Sequence, residues 1–179
     1  MRRPPRYDLP NAAPAPLELV RLFVNTSEHE HDLELLGTPG DLRAWFARHA
    51  DDPGRLGPAA VRRAHRVRSA LRTLIRDGRV EPELAEAARR ARLSADLGGP
   101  ALVPQSGGID GALGSLIAIV YDARRDGTWD RLKACRNCGW AFWDESRNRS
   151  AQWCSMQLCG NRLKVRRYRS RRATPRSSR

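Results

Sequence analysis

Cys135-Arg136-Asn137-Cys138-Gly139, then a gap reaching Cys154-Ser155-Met156-Gln157-Leu158-Cys159, contains all four cysteines of this 179-residue chain. Two close pairs joined by a short insert can converge on a single Zn2+ as four thiolate ligands. Zinc–sulfur bonds of about 2.3 Å require the sulfurs to lie within about 4 Å of one another, and this pairing can supply that. Gly139, directly after the first pair, can take the positive φ that a tight metal-binding turn needs. Cys159 leads into a Lys/Arg-rich stretch of helical character, which predicts a helix N-terminus there. The reading is one structural zinc held by Cys135, Cys138, Cys154 and Cys159.

Three other uses of four cysteines compete with this one. Two disulfides need an oxidising compartment, but Met1-Arg2-Arg3-Pro4-Pro5-Arg6 is followed by no apolar signal segment. The expected location is therefore the cytoplasm, where structural disulfides are rare. A redox Cys-x-x-Cys needs no second pair, and the usual ferredoxin spacings for an iron–sulfur cluster differ from these. Zinc is the preferred reading. Four thiolates leave no open position for a catalytic water, and no Ser/His/Asp or paired-carboxylate constellation stands out, so no enzyme is expected. A histidine-based nuclease is disfavoured as well, since no histidine follows His65.

Around the cysteines run Arg131-Leu132-Lys133-Ala134, Phe142-Trp143-Asp144-Glu145-Ser146-Arg147-Asn148, Trp153-Cys154-Ser155-Met156 and Cys159-Gly160-Asn161-Arg162. This set, in register with the cysteine pairs, resembles the CGNR zinc-finger family of bacterial proteins. The resemblance implies a stress-induced transcription regulator. Phe23-Val24-Asn25-Thr26 and Thr38-Pro39-Gly40-Asp41-Leu42-Arg43-Ala44-Trp45 resemble, more loosely, the helical domain that precedes this finger in the family.

Charge points the same way. The chain carries a net +13, yet residues 135–179 hold 12 Lys/Arg against only Asp144 and Glu145. That segment alone is +10, while the other 134 residues total +3. Charge concentrated on one module is the footprint of a polyanion partner. After Gly160 the apolar face is thin, with Leu163 and Tyr168 five apart, so Arg162, Lys164, Arg166, Arg167 and Arg169 cover most of the helix expected there. Such a helix repels itself, which favours duplex DNA as partner and RNA as the alternative. With Arg147 and Arg149 in a polar loop, and Asn161, these are the candidate nucleic-acid contacts. A membrane is disfavoured: no apolar face accompanies the charge, and no run approaches the roughly 18 residues of a span.

The fold class read from the sequence is mainly α: a helical domain followed by a small treble-clef-like or ribbon-like finger made of a β-hairpin and a helix. The expected organisation is a proline-rich tail over 1–16, a helical regulatory domain over 17–127, the finger over 128–170 and a basic tail over 171–179. Apolar periodicity predicts helices over 17–25, from the Thr38 cap to His49, and over 58–77, 82–97 and 109–125. The last should bury Leu113, Leu116, Ile117, Val120 and Tyr121. Arg62, Arg63, Arg66, Arg72 and Arg76 lie off the apolar stripe of the third helix and read as a solvated face. His29 and His31 read as part of a polar loop, and His65 as an interfacial polar residue. In the finger, Phe142 and Trp153 should fill the small core around the metal, with Trp140 exposed. A ligand pocket beside Phe23 and Asn25, against the fifth helix, and a homodimer through the helical domain are the two roles considered for the N-terminal part.

Overall fold

The longest helix, α3 (Pro58–Asp77), has both ends encoded locally. Pro58 occupies the first turn, where its missing N–H costs nothing. Gly78 takes φ +70° and donates its N–H to Leu74 O, closing the last turn. In this computed structural model, residues 12–28 and 32–161 are described. The polar loop around His29 and His31, the sequence beyond Asn161 and most of the expected N-terminal tail lie outside them. Within that tail, Ala13 is buried and its N–H donates to the Glu18 carboxylate at 2.8 Å.

The apolar stripe of α3 (Val61, Ala64, Val67, Leu71, Leu74) packs against α1 (Leu17–Val24), which buries Val20, Phe23 and Val24 completely. α2 (Pro39–His49) begins with a capping box: the Thr38 hydroxyl accepts from Asp41 N while the Asp41 carboxylate accepts from Thr38 N. That start aims Trp45 and Phe46 at Phe23, with ring centroids 5.5 and 6.0 Å away. Leu113, Leu116 and Val120 of α5 (Gly108–Asp126) enter the same core. Tyr121, expected to be buried, is instead exposed and lies 5.7 Å beneath the Arg125 guanidinium.

Several arginines of α3 are stitched to the chain after α1. Arg72 donates to Val24 O at 2.8 Å and to the Ser27 hydroxyl at 3.0 Å. Arg68 is buried and pairs with Glu34 at 2.5 Å, with a further bond to the Thr26 hydroxyl. These contacts hold the short antiparallel pair β1 (Ser27–Glu28) and β2 (Leu33–Glu34). His65 Nε2 lies 3.0 Å from Leu36 O, as an interfacial polar residue would.

The fourth helix is shorter than its periodicity suggests. α4 (Pro82–Ala91) stops where Arg92 enters the left-handed region at φ +50°. The carbonyl of Ala91 accepts from both Gln105 N and Ser106 N, so the returning chain uses a group a longer helix would have claimed. Residues 93–95 become β3 (Leu93–Ala95), which pairs antiparallel with β4 (Leu102–Pro104). α5 lies so close to this end that a Cβ at Gly114 would stand 2.2 Å from Ala91 Cβ.

After a single 3-10 turn (Thr128–Arg131) the chain forms the hairpin β5 (Leu132–Ala134) and β6 (Ala141–Trp143), with Leu132 opposite Trp143 and Ala134 opposite Ala141. Strand alternation divides its side chains between two cores. Leu132, Ala141 and Trp143 join the helical core, whereas Phe142 faces the cysteine cluster. No helix among the described residues is long and apolar enough to cross a membrane.

Candidate functional site: a four-cysteine metal centre

The first cysteine pair sits in the turn of the β5–β6 hairpin. Cys135 N donates to Trp140 O at 2.9 Å and Gly139 N to Cys135 O at 2.8 Å, which folds the Cys-x-x-Cys segment into a knuckle. Gly139 takes φ +74° there, a conformation that side chains other than glycine resist. The second pair is brought up by Arg136 N, which donates to Gln152 O at 3.0 Å. Ser155 then caps a five-residue turn, Met156–Gly160, by accepting from Leu158 N, and Cys159 N donates to Ser155 O at 2.9 Å. Cys159 thus lies inside a wide turn of π geometry that leads into Asn161 in helical conformation, and the basic stretch expected to continue it lies outside the described residues.

All four sulfurs lie within 4.8 Å of one another. Three separations are Cys138–Cys154 3.8 Å, Cys154–Cys159 3.7 Å and Cys159–Cys138 3.7 Å. A tetrahedron with zinc–sulfur bonds of about 2.3 Å has edges of about 3.8 Å, so the donors fit that ion, and disulfides at about 2 Å are not formed. Cys135, Cys154 and Cys159 are buried, and Cys138 is half-buried. Hydrogen bonds from Cys138 and Cys154 pull the Cys135 thiol far down. The same crowding, led by Cys135, pushes Cys138 up to about 12 and Cys154 higher still. Four clustered sulfurs cannot all ionise unless a cation balances them, and zinc does so when bound. The set holds one structural zinc.

Phe142 and Trp140 pack beside the sulfurs, with Trp153 partly buried against them. Trp140 departs from the exposed position expected of it and is only 4% accessible. A cluster with no other core of its own needs every nearby aromatic to exclude water. Phe23 and Asn25, the candidate ligand pocket, are both buried. Phe23 is enclosed by Trp45 and Phe46. The Asn25 side chain donates to Ala141 O at 2.8 Å and accepts from Ala141 N at 2.9 Å. Phe23 thus sits within the helical core, while Asn25 fastens the finger to the helices.

Asp144, for which the sequence indicates no role of its own, organises the polar loop after β6. Its buried carboxylate accepts from Lys133 Nζ at 2.6 Å, Ser146 N at 2.9 Å and Ala151 N at 3.0 Å. Burial alone would raise its pKa, but the Lys133 ammonium and the Ser146 and Ala151 donors outweigh that and hold it at about 2. Arg131 reinforces the loop from below by donating to the Asp144 and Ser146 carbonyls. The place of Asp144 in the run from Phe142 to Asn148, and its being one of only two acids in a segment of net +10, are the clues the sequence offers. The loop displays Arg147 and Arg149 to solvent, and Asn161 is exposed too. Arg162, Lys164, Arg166, Arg167 and Arg169 lie outside the described residues.

A helical domain carrying a four-thiolate zinc site on a docked hairpin defines the class: a zinc-finger protein with an N-terminal helical domain. Comparison with family models is specific. Residues 131–172 match the CGNR zinc finger, and residues 17–137 match ABATE, described as "Putative stress-induced transcription regulator". The second match covers more than half of the chain, and the protein belongs to the ABATE family. The two matches overlap on β5 and the first cysteine, where the two cores meet. A search of curated proteins finds no match.

Proposed function

We propose that the protein is a DNA-binding transcription regulator, responsive to stress as its family description suggests, whose zinc is structural and which catalyses no reaction. One observation carries the reading: residues 135–179 hold a charge of +10 while the rest of the chain holds +3, and the four cysteines and Asp144 organise the part of that segment from Cys135 to Asn161. A loop whose backbone is already tied suits phosphate contacts through Arg147 and Arg149, because less loop ordering remains to be done on binding. The basic stretch 162–169 supplies more contacts of the same kind. The helical domain adds little long-range attraction and serves as the regulatory or self-associating unit, in the cytoplasm.

Selection of bound sequences from a random duplex library, at a stated salt concentration, tests this. Contact with about five to seven phosphates gives a slope of log affinity against log salt of roughly −4.5 to −6. Enrichment of a defined duplex sequence supports the regulator. Tighter binding to structured RNA than to any duplex, or affinity indifferent to salt, rejects it.

A further inference from the structure

Between the last turn of α3 and the zinc hairpin lies a groove of about 820 Å3, lined in part by Arg76, Lys133, Arg136, Arg149 and Gln152. Its cations come from three separate parts of the fold. Arg76 belongs to the helical domain, Arg136 to the zinc knuckle and Arg149 to the polar loop. No carboxylate is among the residues lining it. Elsewhere the charges are interleaved: Arg89 and Arg90 of α4 both pair with Glu86.

Resting on the DNA-binding reading above, we infer that this groove receives the phosphate backbone of duplex DNA, with Arg76, Arg136 and Arg149 as its contacts. The helical domain then contributes directly to the DNA surface and does not merely regulate the finger. Each arginine is placed for that role and is available for it. Arg136 N is tied to Gln152 O at 3.0 Å beside the cysteine cluster, which fixes the Arg136 backbone, and the residue itself is exposed. Arg149 takes φ +49°, and its carbonyl accepts from Lys133 Nζ. Its guanidinium meets Asp130 only at 3.9 Å, between two exposed side chains. Arg76 pairs with its neighbour Asp77 at the surface, a weak bridge that a phosphate can displace. Lys133, neutralised by Asp144, buttresses the groove wall, and the net positive charge comes from the three arginines. The carboxyl end of α3 carries a partial negative charge that opposes an anion, but three arginines outweigh it.

The test measures anisotropy of a labelled random-sequence duplex of about 25 bp with the zinc-loaded full chain at about 0.1 M salt. Removing one arginine–phosphate pair weakens binding about 5–10-fold at that salt and flattens the salt slope by about 0.9. Arg76→Ala and Arg136→Ala are each expected to do so. Arg62→Ala, at the opposite end of the same helix and about 21 Å along it, is expected to bind as the unmodified chain does. Zinc content and melting temperature, unchanged in all three, exclude misfolding as the cause. Unchanged affinity in both Arg76→Ala and Arg136→Ala overturns the groove and leaves the regulator reading standing. Failure of the unmodified chain to bind any duplex overturns both.

Discussion

The side chain of Asn25, at the end of α1, pairs with both backbone polar groups of Ala141 in β6, 116 positions later in the chain. The carboxamide acts as a neighbouring strand would and satisfies a buried N–H and C=O. Beside it, Leu132, Ala141 and Trp143 lie in the same core as the helices. Zinc site and helical domain are therefore energetically joined.

Asn25→Ala removes both partners and leaves buried backbone groups unpaired, at about 1–3 kcal/mol each. We expect a total loss of about 2–4 kcal/mol in urea unfolding and faster release of zinc to a chelator. An unchanged midpoint would mean that the pair contributes nothing.

Metal analysis is expected to find one zinc per chain. Cys138→Ser and Cys154→Ser should abolish binding, since a structural site's binding energy is folding energy. Because the hairpin shares the helical core, zinc removal should lower the stability of the helices too, read as an earlier decline of far-UV helical signal on heating. Iron with visible absorbance in the purified protein would refute the assignment.

Asp144→Asn places an NH2 group against backbone donors and weakens the Lys133 contact. Removing hydrogen bonds to a charged group costs about 2 kcal/mol at pH 7. The Asp144 pKa in the fold, about 2, is below its ordinary 3.8. Its stabilisation is thus complete above pH 4 and is lost as pH falls towards 2. Unfolding of both chains, measured across that range, should show their difference narrowing. A difference that stays constant with pH would assign the effect to shape rather than charge.

Gly114→Ala introduces a methyl 2.2 Å from Ala91 Cβ and 3.3 Å from Pro104 Cβ, and neither can swing aside. Overpacking of this kind costs about 1–3 kcal/mol or more. Thermal denaturation should show a lower midpoint with DNA affinity preserved; an unaltered midpoint would show that α4 and α5 separate easily.

Ending the chain at Asn161 removes nine Lys/Arg. The salt slope for duplex binding should shrink by several units, at about 0.9 for each phosphate no longer neutralised. The zinc content should stay at one. A slope equal to that of the full chain would place the DNA surface entirely within residues 1–161.

By itself the sequence determined the metal and most of the helices. Four cysteines at fixed spacing define a thiolate site, because the ligands are close in the chain and their chemistry is specific. Helix limits at Pro58, Gly78 and the Thr38–Asp41 box follow from local rules about unpaired N–H and C=O groups. Only the tertiary structure decided where those rules are overridden. Residues 93–95 leave the helical pattern because Ala91 O bonds the chain returning at Gln105. Trp140 turns inward because the zinc cluster has few other groups to cover it. The sequence places Asn25 and Asp144 within segments that resemble the family but does not reveal what either side chain bonds. Their roles depend on partners brought together by folding, Ala141 for one and Lys133 and Ala151 for the other, and no local pattern encodes a contact across such distances.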